Sequence, residues 1–143
     1  MFGSVQRESE LRASIGQALE TYCSLVKVAD FFWDQYCQVI TKNIFRGAIR
    51  VVDKANGVFS IMGFLVTASF SPVANESDKI IGKITFQHEK TDICKILFDT
   101  SGRVLAQTCS DFSLCNMLDN DGIETIVFDF VGKFIASDIL KEK

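Results

Sequence analysis

The sequence predicts an α+β fold: N-terminal helices, an antiparallel β-meander of about five strands, and a C-terminal helix packed on the sheet. Three observations carry that expectation. Leu11, Ile15, Leu19, Tyr22, Val26, Ala29, Trp33, Tyr36 and Ile40 recur every three or four residues, the spacing of one helix face. From Ala48 to Thr108 apolar residues alternate with polar ones, and turn residues punctuate the runs. From Asp121 the helical spacing returns.

The first periodic stretch runs from Glu8 to about Phe45 with no proline and a single glycine, Gly16. Glu8 and Glu10 stand where a helix N-terminus favours negative charge. The stretch is long for one globular helix. It is either a single long helix lying across the sheet and extending past it, or two helices breaking near Asp30, an N-cap candidate for Phe31-Phe32-Trp33; two helices, or one with a sharp bend, is the favoured reading.

Asn56-Gly57 reads as the type I′ turn of a first hairpin. A two-residue loop there pairs Ala55 with Val58, Val51 with Met62 and Ile49 with Phe64. The return strand, Val58 to Phe70, is then apolar on both sides, so each sheet face is expected to be covered. The next two runs are Lys79–His88 and Asp92–Asp99. A two-residue loop at Lys90-Thr91 would set Cys94, Ile96 and Phe98 on the opposite face from Ile80, Ile84 and Phe86. An odd loop or a bulge around Glu89–Asp92 restores one apolar face. Phe86 then faces Cys94, or His88 does with a five-residue loop. Asp99–Arg103 reads as a turn into a last strand, Val104–Thr108.

Ser110 to Leu118 is a short helix or a loop carrying Phe112, Leu114 and Met117 onto the core. Asp121 with Glu124 three residues on resembles a capping box. Ile123, Ile126, Val127, Phe130, Phe134 and Ile135 follow at helical spacing, and Lys141 and Lys143 suit a helix C-terminus.

With 143 residues and 48% apolar content, the chain is expected to be one domain spanning residues 1–143. Net charge is −3, and the nearest thing to a basic stripe is Lys42, Arg46, Arg50 and Lys54. That is too thin to replace phosphate counterions, so nucleic acid is not an expected partner. The opening residues carry no basic segment followed by an apolar one, so no secretory leader is expected, and no apolar run of roughly 20 residues occurs; no membrane is expected and the location is expected to be cytoplasmic. Asn75-Glu76-Ser77 matches a glycosylation acceptor and is read as chance in that setting. Cys23, Cys37, Cys94, Cys109 and Cys115 form no Cys-x-x-Cys pair and are read as structural thiols, without a metal. Asp119, Asp121 and Gly122 do not complete a calcium loop, because the twelfth position would be Phe128. No nucleotide, dinucleotide or zinc-helix motif occurs, and no cofactor is expected.

His88 is the only histidine. It is a strand-end residue unless a register places it against Cys94, with Asp92 or Glu89 as orienter, in a nucleophilic pair. Phe31, Phe32, Trp33 and Tyr36 crowd one helical turn, and four aromatics cannot all face one sheet. Trp33, Tyr36 and His88 are the candidate binding residues. The leading expectation is a non-enzymatic binding or interaction protein of accessory, immunity or chaperone type, forming a homodimer through a sheet face or the long helix. The alternative is a small-ligand-binding domain with an aromatic-lined apolar pocket. An enzyme using His88 comes third.

Overall fold

The computed structural model describes residues 2–107 and 116–141. A helix, α1 (Phe2–Ile40), is followed by six strands, β1 (Ile49–Asp53), β2 (Val58–Ile61), β3 (Phe64–Ala74), β4 (Ile80–His88), β5 (Thr91–Phe98) and β6 (Val104–Gln107), and then by α2 (Asn120–Ala136). The strands form one antiparallel sheet in sequence order.

α1 does not break at Asp30: it is one helix of 39 residues, about 58 Å long. Asp30 is exposed, while the buried stripe passes beside it from Leu25, Val28 and Ala29 to Phe32, Tyr36, Val39 and Ile40. A continuous buried stripe needs a continuous helix. The helix also starts earlier than expected, so Glu8 and Glu10 lie beyond its first turn, which holds no acidic residue.

The Asn56-Gly57 expectation is corrected. Lys54–Asn56 form a short 3-10 turn, closed by Gly57 at φ 71°. Asp53 holds the turn, accepting from the Asn56 main-chain N–H at 3.3 Å and from Asn56 Nδ2 at 2.7 Å. Ile49 therefore pairs with Ile61 and Val51 with Phe59, three residues away from the expected partners. The run Val58–Phe70 is two strands, because Met62 (φ 51°) and Gly63 (φ 86°) turn it back on itself. That adds the sixth strand. It also explains the apparent two-faced apolarity, since Phe59 and Ile61 lie beside Val66 and Phe64 on one face.

The bulge expected near Glu89–Asp92 is present. Phe86 pairs with Cys94, and the register shifts before Gln87 pairs with Asp92 and His88 with Thr91. Ile84, Phe86, Cys94, Ile96 and Phe98 thus bury together. The Asp99–Arg103 turn also forms. Asp99 Oδ1 accepts from the main-chain N–H of Ser101 at 2.9 Å and of Arg103 at 3.1 Å.

α2 starts two residues earlier than expected. Its cap is Asp119, whose carboxylate accepts from the Asp121 N–H at 3.3 Å. Glu124 makes no capping box and accepts from Lys42 Nζ at 2.6 Å instead. The helix ends at Ala136 with Lys133 in its last turn, while Lys141 pairs with Asp138 at 2.8 Å. Ile123, Ile126, Val127, Phe130 and Phe134 face the sheet as the spacing implies, whereas Ile135, read in the same series, is more than half exposed; Met117 is fully buried. Phe112, Leu114, Cys109, Cys115 and Lys143 lie outside the described residues.

α1 and α2 pack on the same face of the sheet and share one hydrophobic cluster with it. The expectation of a covering element on each face fails with the register that produced it. Val52 and Leu65 on the other face are more than half exposed.

Candidate functional site at the Trp33 cavity and the flank of α1

Seven rings form a continuous path through the protein. Trp33 stacks on Tyr36 at 5.8 Å between centroids, and Tyr36 on Phe86 at 5.4 Å. Phe86 meets Phe130, Phe130 meets Phe134, Phe134 meets Phe64, and Phe64 meets His88. The three candidate residues therefore occupy different stations on one aromatic path and do not converge on one point.

Tyr36 is fully buried, and its hydroxyl finds no hydrogen-bond partner among the described residues. Burial pushes its pKa well above the usual tyrosine value, with Cys94 and Cys37 adding to the shift. Cys37 is itself raised to about 11, chiefly by burial, with Asp34 raising and Lys54 lowering it. These are groups held neutral in a packed core.

His88 sits at the strand end with its Nδ1 at 2.7 Å from the Leu65 carbonyl oxygen and its Nε2 at 3.9 Å from Glu89. Cys94 faces Phe86 on the neighbouring strand, while His88 faces Thr91 beyond the bulge. The nucleophilic pair that one register allowed is not the register this sheet adopts.

Trp33 is different, because it is only partly buried and opens onto a cavity of about 360 Å³. Ala29, Asp30 and Phe32 of α1 form one wall, and Ala68, Phe70 and Ile84 of the sheet form another. The 3-10 turn at Lys54–Asn56 closes one end. Trp33 Nε1 donates to the Lys54 carbonyl oxygen at 2.8 Å, and Lys54 Nζ is ion-paired with Asp34. The indole is thus fixed at both its polar atom and its stacked face. Asp30 has no ion pair among the described residues, so the rim carries one uncompensated negative charge.

The strand edge beside this cavity is blunted. The Ala68 N–H donates to the Gly57 carbonyl oxygen at 2.7 Å, just where β2 begins. Main-chain groups alternate sides along a strand, so Phe70, Pro72 and Ala74 turn theirs toward an edge that is unpaired among the described residues. Pro72, the chain's one proline, removes a donor there.

The N-terminal half of α1 carries a second open feature. Leu11 is 60% exposed, Ile15 50%, Leu19 59% and Tyr22 40%. At 100° per residue these four, with Val26 and Trp33, fall within roughly 80° of one another. Ser14, Gln17, Ala18 and Thr21 face the β3–β4 and β5–β6 turns, about a quarter turn further round. The apolar flank thus lies beside the sheet-facing side and runs directly into the Trp33 cavity. Tyr22 touches Phe70 at 6.1 Å between centroids, which joins the two features.

The spacing of the flank is visible in the sequence; its exposure is not, because the same spacing describes a buried stripe. Asp30, Lys54 and Phe70 were missed as site residues. They meet only through the 3-10 turn and the β2–β3 hairpin, both of which differ from what the local turn composition implies.

No family model, no curated protein and no solved structure matches this chain. Among the described residues no helix is long and apolar enough to cross a membrane.

Proposed function

We propose that this chain is a non-enzymatic interaction protein of the cytoplasm that docks through the apolar flank of α1, as a homodimer or on another protein. One observation carries the reading: Leu11, Ile15, Leu19 and Tyr22 are 40–60% exposed in a line on the helix half that passes the β3–β4 and β5–β6 turns. Scattered exposed leucines are ordinary, whereas an aligned apolar flank on a protein surface marks an interface. A helix recognised at i, i+4, i+8 and i+11 is a common docking element.

The test is site-specific photo-crosslinking in cells, with a benzoylphenylalanine replacing Ile15 and a control at Ser71 on the far sheet face. A discrete adduct from position 15 and none from position 71 supports docking through α1. No adduct from position 15 overturns it.

A second reading, an apolar small-molecule site, draws on the cavity beside Trp33. Its lining of Phe32, Trp33, Ala68 and Phe70 suits a flat hydrocarbon. As the only tryptophan, Trp33 reports occupancy directly. Saturable quenching by a naphthalene probe, lost in Ala68→Phe, supports that reading; linear, collisional quenching removes it.

A further inference from the structure

The flank and the cavity fit each other across a two-fold axis. Eighteen residues, the separation of Arg12 and Asp30, make five turns of 3.6, so both side chains project from the same edge of the flank. In an antiparallel pair of helices related by a perpendicular two-fold axis, equal edges meet. Arg12 of one copy then approaches Asp30 of the other, and the contact occurs twice. In a parallel pair equal edges lie on opposite sides, and the match is lost.

The apolar residues point to the same register. Sliding one helix until Ile15 meets Val26 of the other also sets Leu19 against Tyr22. Leu11 then stands level with Asp30 at the mouth of the other copy's Trp33 cavity. We propose that two copies of this chain associate through antiparallel α1 helices in this register, with Leu11 entering the Trp33 cavity and Arg12 pairing with Asp30. The proposal rests on the docking reading above and names its partner as a second copy.

Charge and area both favour that occupant. Asp30 has no ion pair among the described residues, and Arg12 is held only by an exposed i,i+4 contact with Glu8 at 2.8 Å, which is cheap to rearrange. The overlap runs from Glu8 to Trp33, about 39 Å of helix, and covers roughly the 800 Å² per partner of a standard specific interface. The edge of β3 offers no comparable surface, because Pro72 interrupts its donors.

Sedimentation equilibrium of the purified full-length chain, read together with Trp33 emission, tests the proposal. The expected result is a reversible species of twice 16.0 kDa, with Trp33 emission moving to shorter wavelength along the same concentration curve. Ile15→Asp, at an exposed position, weakens association at least tenfold while leaving the thermal midpoint of the monomer in place. Arg12→Asp and Asp30→Arg each weaken it about threefold or more, and the double exchange restores it. A 16.0 kDa species throughout, a dimer indifferent to Ile15→Asp, or a double exchange that fails to restore association overturns the proposal. A monomer that still crosslinks from position 15 to a different chain removes self-pairing and leaves docking through α1 standing. Absence of both signals removes both.

Discussion

The ring of Phe98 lies directly over Gly82, its partner across the β4–β5 ladder. A Cβ at position 82 would stand 2.3 Å from Phe98 Cζ, inside any real contact distance. Phe98 is fully buried and rests against Phe70 at 6.1 Å, so the ring has nowhere to retreat. Gly82→Ala is expected to destabilise the fold by about 2 kcal/mol through overpacking. Adding Phe98→Leu to Gly82→Ala is expected to recover part of that loss. Urea midpoints of the two single variants and the double variant decide it, and simple additivity would mean that the two positions do not press on each other.

The β2–β3 hairpin turns on Met62 and Gly63, both with positive φ. A methionine in the left-handed region carries a steric cost, and its side chain is 47% exposed, so little burial offsets it. Met62→Asn supplies the residue that this turn prefers and is expected to stabilise by about 0.5–1 kcal/mol. Gly63→Ala, at φ 86°, is expected to cost about 1 kcal/mol. Thermal unfolding of both variants checks the pair, and opposite signs are the expected signature.

That hairpin is also where sequence and structure part. Asn56-Gly57 has the composition of a two-residue turn, yet Asp53 captures Asn56 and makes it the end of a 3-10 turn. Met62-Gly63 has no such composition and makes the tight turn, because only that fold-back puts Phe59, Ile61, Phe64 and Val66 on one face. Burial of Phe59, Ile61 and Val66, with Phe64 packed against them, outweighed local turn preference. The bulge beside Phe86 and Cys94 was legible because a parity mismatch between two apolar runs permits only an odd insertion. The cavity at Trp33 was not legible, since it depends on which residues the 3-10 turn and the Met62-Gly63 hairpin bring together.

Alkaline pH should find the buried thiol and phenol. Cys37 is raised from 9.0 to about 11, and Tyr36 stands well above 10.0, each chiefly through burial. In the unfolded chain both release protons at their ordinary values, whereas the folded chain holds them. Stability from Cys37 is therefore complete below pH 9 and is lost as pH rises toward 11, with Tyr36 steepening the fall above pH 10. Urea midpoints measured from pH 7 to 11 should decline across that window. Tyr36→Phe should flatten the upper part, and at pH 7 it should be neutral or slightly stabilising because the hydroxyl has no partner among the described residues. A decline unchanged in Tyr36→Phe and Cys37→Ala would place its origin in other groups.

The N-terminal half of α1 carries the last prediction. Between residues 8 and 24 the helix has few buried side chains, and helices without tertiary packing are marginal in water. Residues 25–40, locked by Leu25, Phe32 and Tyr36, should exchange amide hydrogens only with global unfolding. Amides of residues 8–20 should exchange much faster in dilute protein, and protection should rise with concentration as Ile15 and Leu19 become covered. In Ile15→Asp that concentration dependence should vanish while the protection of residues 25–40 stays unchanged. Equal protection of both halves at every concentration would mean that the free half of α1 is held by contacts within its own chain, and the flank would then lose its claim as a docking surface.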